Sequence, residues 1–116
     1  MRYMLMFKGA GEPETTEAPC KQDLPAVQKL MAELKQKGIL LSGEGLESSE
    51  KGARVRLIGD RYSVTDGPFA EAKELVAGIA IVKANSKQEA MDLARRILEA
   101  AGGGESEVRE IKEIKS

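Results

Sequence analysis

Histidine and tryptophan are absent from this 116-residue chain, cysteine occurs once, and tyrosine and phenylalanine occur twice each. Without histidine, no Ser-His-Asp or Cys-His nucleophile pairing can form. Zinc and iron sites lean on His and Cys and have almost nothing to use here. No cluster of carboxylates is spaced along one element to replace them, so no metal and no other cofactor is expected. A single cysteine, Cys20, excludes an internal disulfide and suits a cytoplasmic protein. In a loop rich in Pro and Glu, with no histidine to activate it, Cys20 reads as an ordinary free thiol rather than a nucleophile. No apolar run approaches the roughly 20 residues of a membrane span. The apolar start, residues 1–8, is too short for a signal-peptide core and reads as a strand. Charge of one sign is also missing. Eighteen Lys and Arg against nineteen Asp and Glu give a net charge of −1 with no basic block, which argues against nucleic acid or membrane as partner.

What is present makes one domain over residues 1–116, long enough to bury roughly two-thirds of its unfolded surface. With so few aromatics, Leu, Ile, Val, Met and Ala must fill the core. Residues 3–7 are apolar on both faces, which predicts a strand covered on both sides. Residues 9–20 form a polar loop with Gly9, Gly11, Pro13 and Pro19, either a lid or simply mobile. Asp23 then offers an N-cap and Pro25 a first-turn proline. Leu24, Val27, Leu30, Met31 and Leu34 make one helical stripe that Gly38 terminates, with Lys35 and Lys37 at the negative end of the dipole. Residues 39–46 predict a second strand whose Gly43 and Gly45 permit a bulge beside Glu44. Residues 53–58 alternate, placing Arg54 and Arg56 on one face and Val55 and Leu57 on the other, and Gly59-Asp60-Arg61 reads as a hairpin connection. Residues 62–65 lead back towards Asp66.

Residues 76–83 are the most hydrophobic run and predict a central strand. Ser86 and Glu89 form a capping box for a helix buried through Ala90, Met91, Ala94, Ile97, Leu98 and Ala101. Gly102-Gly103-Gly104 ends that helix, so these glycines face the negative pole and are no phosphate cradle. Residues 108–114 predict a last, charged edge strand. The order gives an α+β, ferredoxin-like βαββαβ sandwich, an antiparallel sheet with two helices on one face. Two strands that want both faces covered then predict a homodimer with sheets face to face.

The densest stretch is Val64-Thr65-Asp66-Gly67-Pro68-Phe69-Ala70-Glu71-Ala72-Lys73-Glu74. Asp66 can fold its carboxylate onto the turn's own N–H groups, Pro68 suits the corner, and Phe69 can anchor it by burying its ring. This string resembles the hallmark of the DGPF branch of the YCII-related family, small and mostly bacterial proteins. Met1-Arg2-Tyr3-Met4-Leu5-Met6, Gly43-Glu44-Gly45-Leu46 and Glu107-Val108-Arg109 fit the same pattern, so the likeness spans nearly the whole chain. The resemblance implies a ferredoxin-like fold of the dimeric α/β-barrel type with a cleft beside the Asp66 turn. Some relatives stand beside, or are fused to, extracytoplasmic-function sigma factors, which implies a regulatory role as an option. The His–Asp dyad proposed for the wider family does not carry over: there is no histidine, and Ala100-Ala101-Gly102-Gly103-Gly104 stands where the dyad's Asp-Pro turn would be.

The chemistry left centres on Asp66 as acid or base, with Glu44, Arg56, Phe69, Lys73 and Glu74 as candidate ligand contacts. A carboxylate sunk beside Phe69 would rise in pKa and move protons, whereas an Arg56 partner would lower it and make a clamp. Glu71 and Glu74 share one side of a short helical turn. Three readings fit these residues: a lyase or isomerase acting on a small, anionic organic molecule, a non-catalytic binding or regulatory module, and a dimer in which the turn is architectural only.

Overall fold

The structure is a computed structural model and describes residues 1–8, 24–69 and 76–114. Alternation along two apolar strands builds its centre. β1 (Arg2–Lys8) buries Tyr3, Leu5 and Phe7 on one side and leaves Met4 and Met6 half-buried on the other. β5 (Val76–Lys83) pairs with it antiparallel, Leu5 opposite Ala80 and Met6 opposite Ile79. Gly78, Ala80 and Val82 point inward, and Ile79 and Ile81 outward. β2 (Leu40–Gly45) and β6 (Glu105–Glu110) close the flanks, giving the order β2-β5-β1-β6 with every pairing antiparallel.

The two helices among the described residues cover the inner face. α1 (Pro25–Gln36) begins with proline in its first turn and ends before Gly38 at φ 75°, as its sequence predicts. Its cap position falls on Leu24, which makes no side-chain cap bond, and not on Asp23, which lies outside the described residues. α2 (Lys87–Ala101) has the expected cap, Ser86 Oγ accepting the Glu89 N–H at 3.1 Å, and stops at Gly102 with φ 86°. Its buried stripe is Ala90, Leu93, Ala94 and Ile97. The expected Met91 is exposed, because one step from Ala90 rotates it about 100° off that stripe and Leu93 takes the place. Leu34 of α1 joins these four residues, Tyr3, Leu5 and Phe7 of β1, and Ala80 and Val82 of β5 in one core cluster.

β6 starts three residues earlier than expected and ends by Glu110; Ile114 is almost fully exposed. The reason is the register with β1, in which Lys8 faces Glu105 and Leu5 faces Val108. The strand forms directly after Gly104, whose φ of 116° swings the chain back against the Lys8 carbonyl. In β2 the irregularity lies at Leu41, between Leu40 and Ser42, and not at the glycines beside Glu44.

The larger difference is in the middle of the chain. β3 (Ala53–Ile58) and β4 (Arg61–Asp66) pair through a two-residue connection in which Gly59 takes φ 60°. Residues 62–65 belong to a full strand, and the hairpin is a separate two-stranded sheet rather than part of the main one. Without this insertion, β1-α1-β2-β5-α2-β6 is the ferredoxin-like α+β fold. No helix among the described residues is long and apolar enough to cross a membrane.

Two outcomes follow. Leu5→Ala, at a fully buried central position, should lower unfolding free energy by about 2–5 kcal/mol in urea titrations, with the slope unchanged. The Glu107 carboxyl is held below its ordinary 4.5, first by the hydrogen bond from Arg109 (3.0 Å) and then by that from Lys8 (3.4 Å). A depressed carboxylate stabilises the fold above its unfolded value and loses that contribution as pH falls through the folded value. Melting temperature should therefore fall below pH 4.5 more steeply in the parent than in Glu107→Gln.

Candidate functional site

The pairing of β3 with β4 settles the geometry around Asp66. Ala53 faces Asp66, so the next residues out, Gly52 and Gly67, meet across the base of the hairpin, and the Gly67 N–H bonds the Gly52 carbonyl at 3.0 Å. The chain before β3 makes a short 3-10 turn, Ser49–Lys51. Ser49 Oγ accepts the Phe69 N–H at 3.0 Å. Gly67 packs so closely here that a Cβ would fall on the Ser49 carbonyl. The Gly67–Pro68 peptide is cis.

This corrects the expected turn chemistry. Asp66 is the last residue of β4 and is exposed; among the described residues no backbone or side-chain donor bonds its carboxylate. The groups that hold the turn are Ser49 and Gly52, twenty and fifteen positions upstream of the residues they bond. Phe69 is half-buried rather than sunk in the core, and the Arg54 guanidinium covers its ring 4.0 Å from the centroid. That geometry is a cation–π contact, worth roughly 0.5–1 kcal/mol at a partly exposed site.

Among the described residues, Asp66, Arg56 and Glu44 do not come together. Register puts Asp66 on the same hairpin face as Ala53, Val55, Leu57, Tyr62 and Val64. Arg56, opposite Ser63, lies on the other face with Arg54 and Thr65, so it cannot clamp Asp66 across a flat ribbon. Glu44 stands in the main sheet opposite Ile79 and lines a cavity of about 470 Å³ between α1 and β2, with Gln28, Met31, Lys35 and Ser42. A second cavity of about 750 Å³ lies between α2 and β6, lined by Met91, Arg95, Leu98 and Ser106 among others. Neither is lined by Asp66. Lys73 and Glu74, like Glu71 and Cys20, lie outside the described residues. Among the described residues no three His, Cys, Asp or Glu side chains come together as metal ligands.

The residues missed by sequence reasoning are Ser49, Gly52 and the role of Arg54. A signal for them existed. A two-residue loop at 59–60 forces 53 opposite 66 and hence 52 opposite 67, which draws the preceding turn onto the Asp66 bend.

The sequence model of the YCII-related domain matches residues 1–115, and the chain belongs to that family. No curated protein matches it.

Gly67→Ala places a methyl on a backbone carbonyl that no rotamer change can move. Overpacking of this kind costs typically 1–3 kcal/mol. The turn should open locally: amide exchange at Phe69 should accelerate, while β1 and β5 amides remain protected.

Proposed function

We propose that this YCII-related protein is a cytoplasmic homodimer that binds a small organic acid beside the Asp66 bend, with Asp66 exchanging a proton with the ligand in a lyase- or isomerase-type reaction. The observation that carries the reading is the state of the Asp66 carboxylate. An architectural turn would use up its oxygens on local N–H groups; here Ser49 Oγ and the Gly52 carbonyl hold the bend, and no described donor bonds Asp66. A carboxylate kept out of the turn's own hydrogen bonding is available to a ligand proton.

Dimerisation is supported by the outer face of the main sheet. Met4 and Met6 of β1 lie beside Ile81 and Ile79 of β5, so four adjacent side chains form an apolar stripe. Ser42 and Arg109 flank one row, Glu44 and Glu107 the other. An apolar centre with a charged rim is the composition of a subunit interface. An acid is the favoured ligand because the hairpin carries Arg54, Arg56 and Arg61 against Asp60 and Asp66. With Arg56 on the face opposite Asp66, a ligand that meets both types of group sits at an edge of the hairpin or between two copies.

A second reading, non-catalytic binding of the same ligand, is favoured by one observation: no described acid or base pairs with Asp66 to complete a proton relay. Asp66→Asn separates the two. Small carboxylic acids should raise the melting temperature of both parent and variant, by roughly 2.7 kcal/mol of stability at a hundredfold excess over Kd. Turnover of the stabilising acid should be confined to the parent. If no acid in the panel shifts the parent's melting, or sedimentation equilibrium finds only monomer at micromolar concentration, the reading is wrong. If both forms bind and neither turns over, the binding role stands and the catalytic one is lost.

A further inference from the structure

The main sheet has two edges, and they are built differently. β6, beside β1, carries Glu105, Glu107, Arg109 and Glu110, and charged side chains along an edge discourage another strand from pairing there. β2, beside β5, carries one charge, Glu44, and two glycines, Gly43 and Gly45. The Leu46 N–H bonds the Ala77 carbonyl, and bonding alternates along an antiparallel pair. Glu44 and Ser42 therefore turn their backbone groups towards Ile79 and Ile81 of β5, while Gly43 and Gly45 turn theirs away from the sheet. Among the described residues no strand lies on that side of β2. The irregularity at Leu41 comes before this stretch and leaves residues 42–45 in regular register.

The space beside this edge has a defined shape. α1 turns Gln28, Met31, Ala32 and Lys35 towards it, which are the i, i+3, i+4 and i+7 positions of one helical face. With Leu40 and the half-exposed Leu41 they bound the cavity of about 470 Å³. Gly43 and Gly45 stand opposite Ala80 and Gly78, so their missing side chains are missing on the inner face, the side of α1. Glycine at such positions lets a second backbone approach closely. The chain reverses at Gly38 between α1 and β2, which sets Lys35 over the Leu40 end of the groove. Lys35 has no acidic partner among the described residues.

We propose that the β2 edge is a docking site for an extended peptide, which joins the sheet as a fifth strand. One apolar side chain of the peptide enters the α1–β2 cavity, and an acidic residue meets Lys35. Strand addition of this kind draws affinity from main-chain hydrogen bonds and specificity from pockets for alternate side chains. The proposal goes beyond the acid-binding reading and does not depend on it, since Asp66 does not line this cavity.

Three observations select a peptide as the occupant. The outward N–H and C=O groups of Gly43 and Gly45 repeat every second residue, roughly 6.8 Å apart, a spacing that another extended backbone matches. The cavity lies beside those groups on one face of the edge, where every second side chain of an added strand points. The single cation at the end of the groove favours an acid there. A second copy of β2 suits the edge less well. On the inner face it brings its own Gly43 and Gly45, which put nothing into the cavity.

The test uses the full chain as bait in a selection from displayed linear octapeptides. Enriched sequences should alternate apolar with polar residues and carry an acid near one end. A synthetic copy of the most enriched peptide should slow amide exchange at Gly43 and Gly45 at least tenfold and leave β6 amides unchanged. Methylating its backbone nitrogens at alternate positions should cost at least tenfold in affinity in one frame and little in the other, because only one set of N–H groups faces β2. Lys35→Glu should weaken binding at least tenfold. Gly43→Pro, which removes an outward N–H and no bond to β5, should weaken it as much. Should Gly43→Pro fail to fold, the methylated peptides make the same test on the parent. No enrichment, or an affinity indifferent to both methylation frames, would overturn the proposal. So would Gly43 and Gly45 amides that are protected in the peptide-free parent at every concentration, because the edge would then be covered from within the chain. Protection that grows as the peptide-free parent is concentrated would overturn it in favour of a second copy.

Discussion

The antiparallel pairing of β1 with both β5 and β6 is the constraint from which the remaining structure follows. β1 carries an apolar residue at every position from Tyr3 to Phe7, and it occupies an interior place in the sheet. Its inward residues Tyr3, Leu5 and Phe7 meet Leu34 from α1 and Ala90, Leu93, Ala94 and Ile97 from α2 in a single cluster. Among the described residues its outward side chains meet no helix, since α1 and α2 lie on the other side. The same period of two that closes the core therefore creates the half-buried outer stripe.

Register with β1 also governs the periphery. Setting Lys8 opposite Glu105 brings Lys8 within reach of Glu107, which Arg109 holds from its other side. At the far end Arg2 bonds Glu113 at 2.8 Å and the Ile111 N–H bonds the Arg2 carbonyl at 2.8 Å. The exposed pairs, Arg2–Glu113 and Arg109–Glu107, contribute little each. What they do is define where β6 begins and ends on a strand whose own sequence is mostly charged.

The middle of the chain obeys a different logic. The 46–52 connection leaves the sheet with the Leu46 N–H bonded to the Ala77 carbonyl, then turns through Ser49–Lys51 and enters the hairpin. From there, local pairing alone places Ser49 beneath Phe69 and stacks Arg54 on the ring. The Asp66 bend is thus attached to the hairpin base rather than to the core.

Elements with a strong period were legible directly. The α1 stripe, the α2 capping box and the β5 run follow from local chemistry that tertiary context did not override, as does a hairpin connection after Ile58, although Arg61, read with that connection, opens β4. So did the α+β order. The start of β6 was not legible, because Glu105 and Glu107 become strand residues only when Lys8 lies across from them. The choice of Leu93 over Met91 depended on where α2 meets the sheet. Most consequential was the face assignment at the hairpin. Alternation alone put Arg54 with Arg56, but only the cross-strand partner of each residue sets Asp66 with Val55 and Val64 and apart from Arg56. The sequence by itself determined which segments pair and which sides are greasy, because those properties are local and periodic. Which described groups hold the Asp66 bend, and which residues share the face of Asp66, was decided by tertiary structure, because both depend on contacts between positions far apart along the chain.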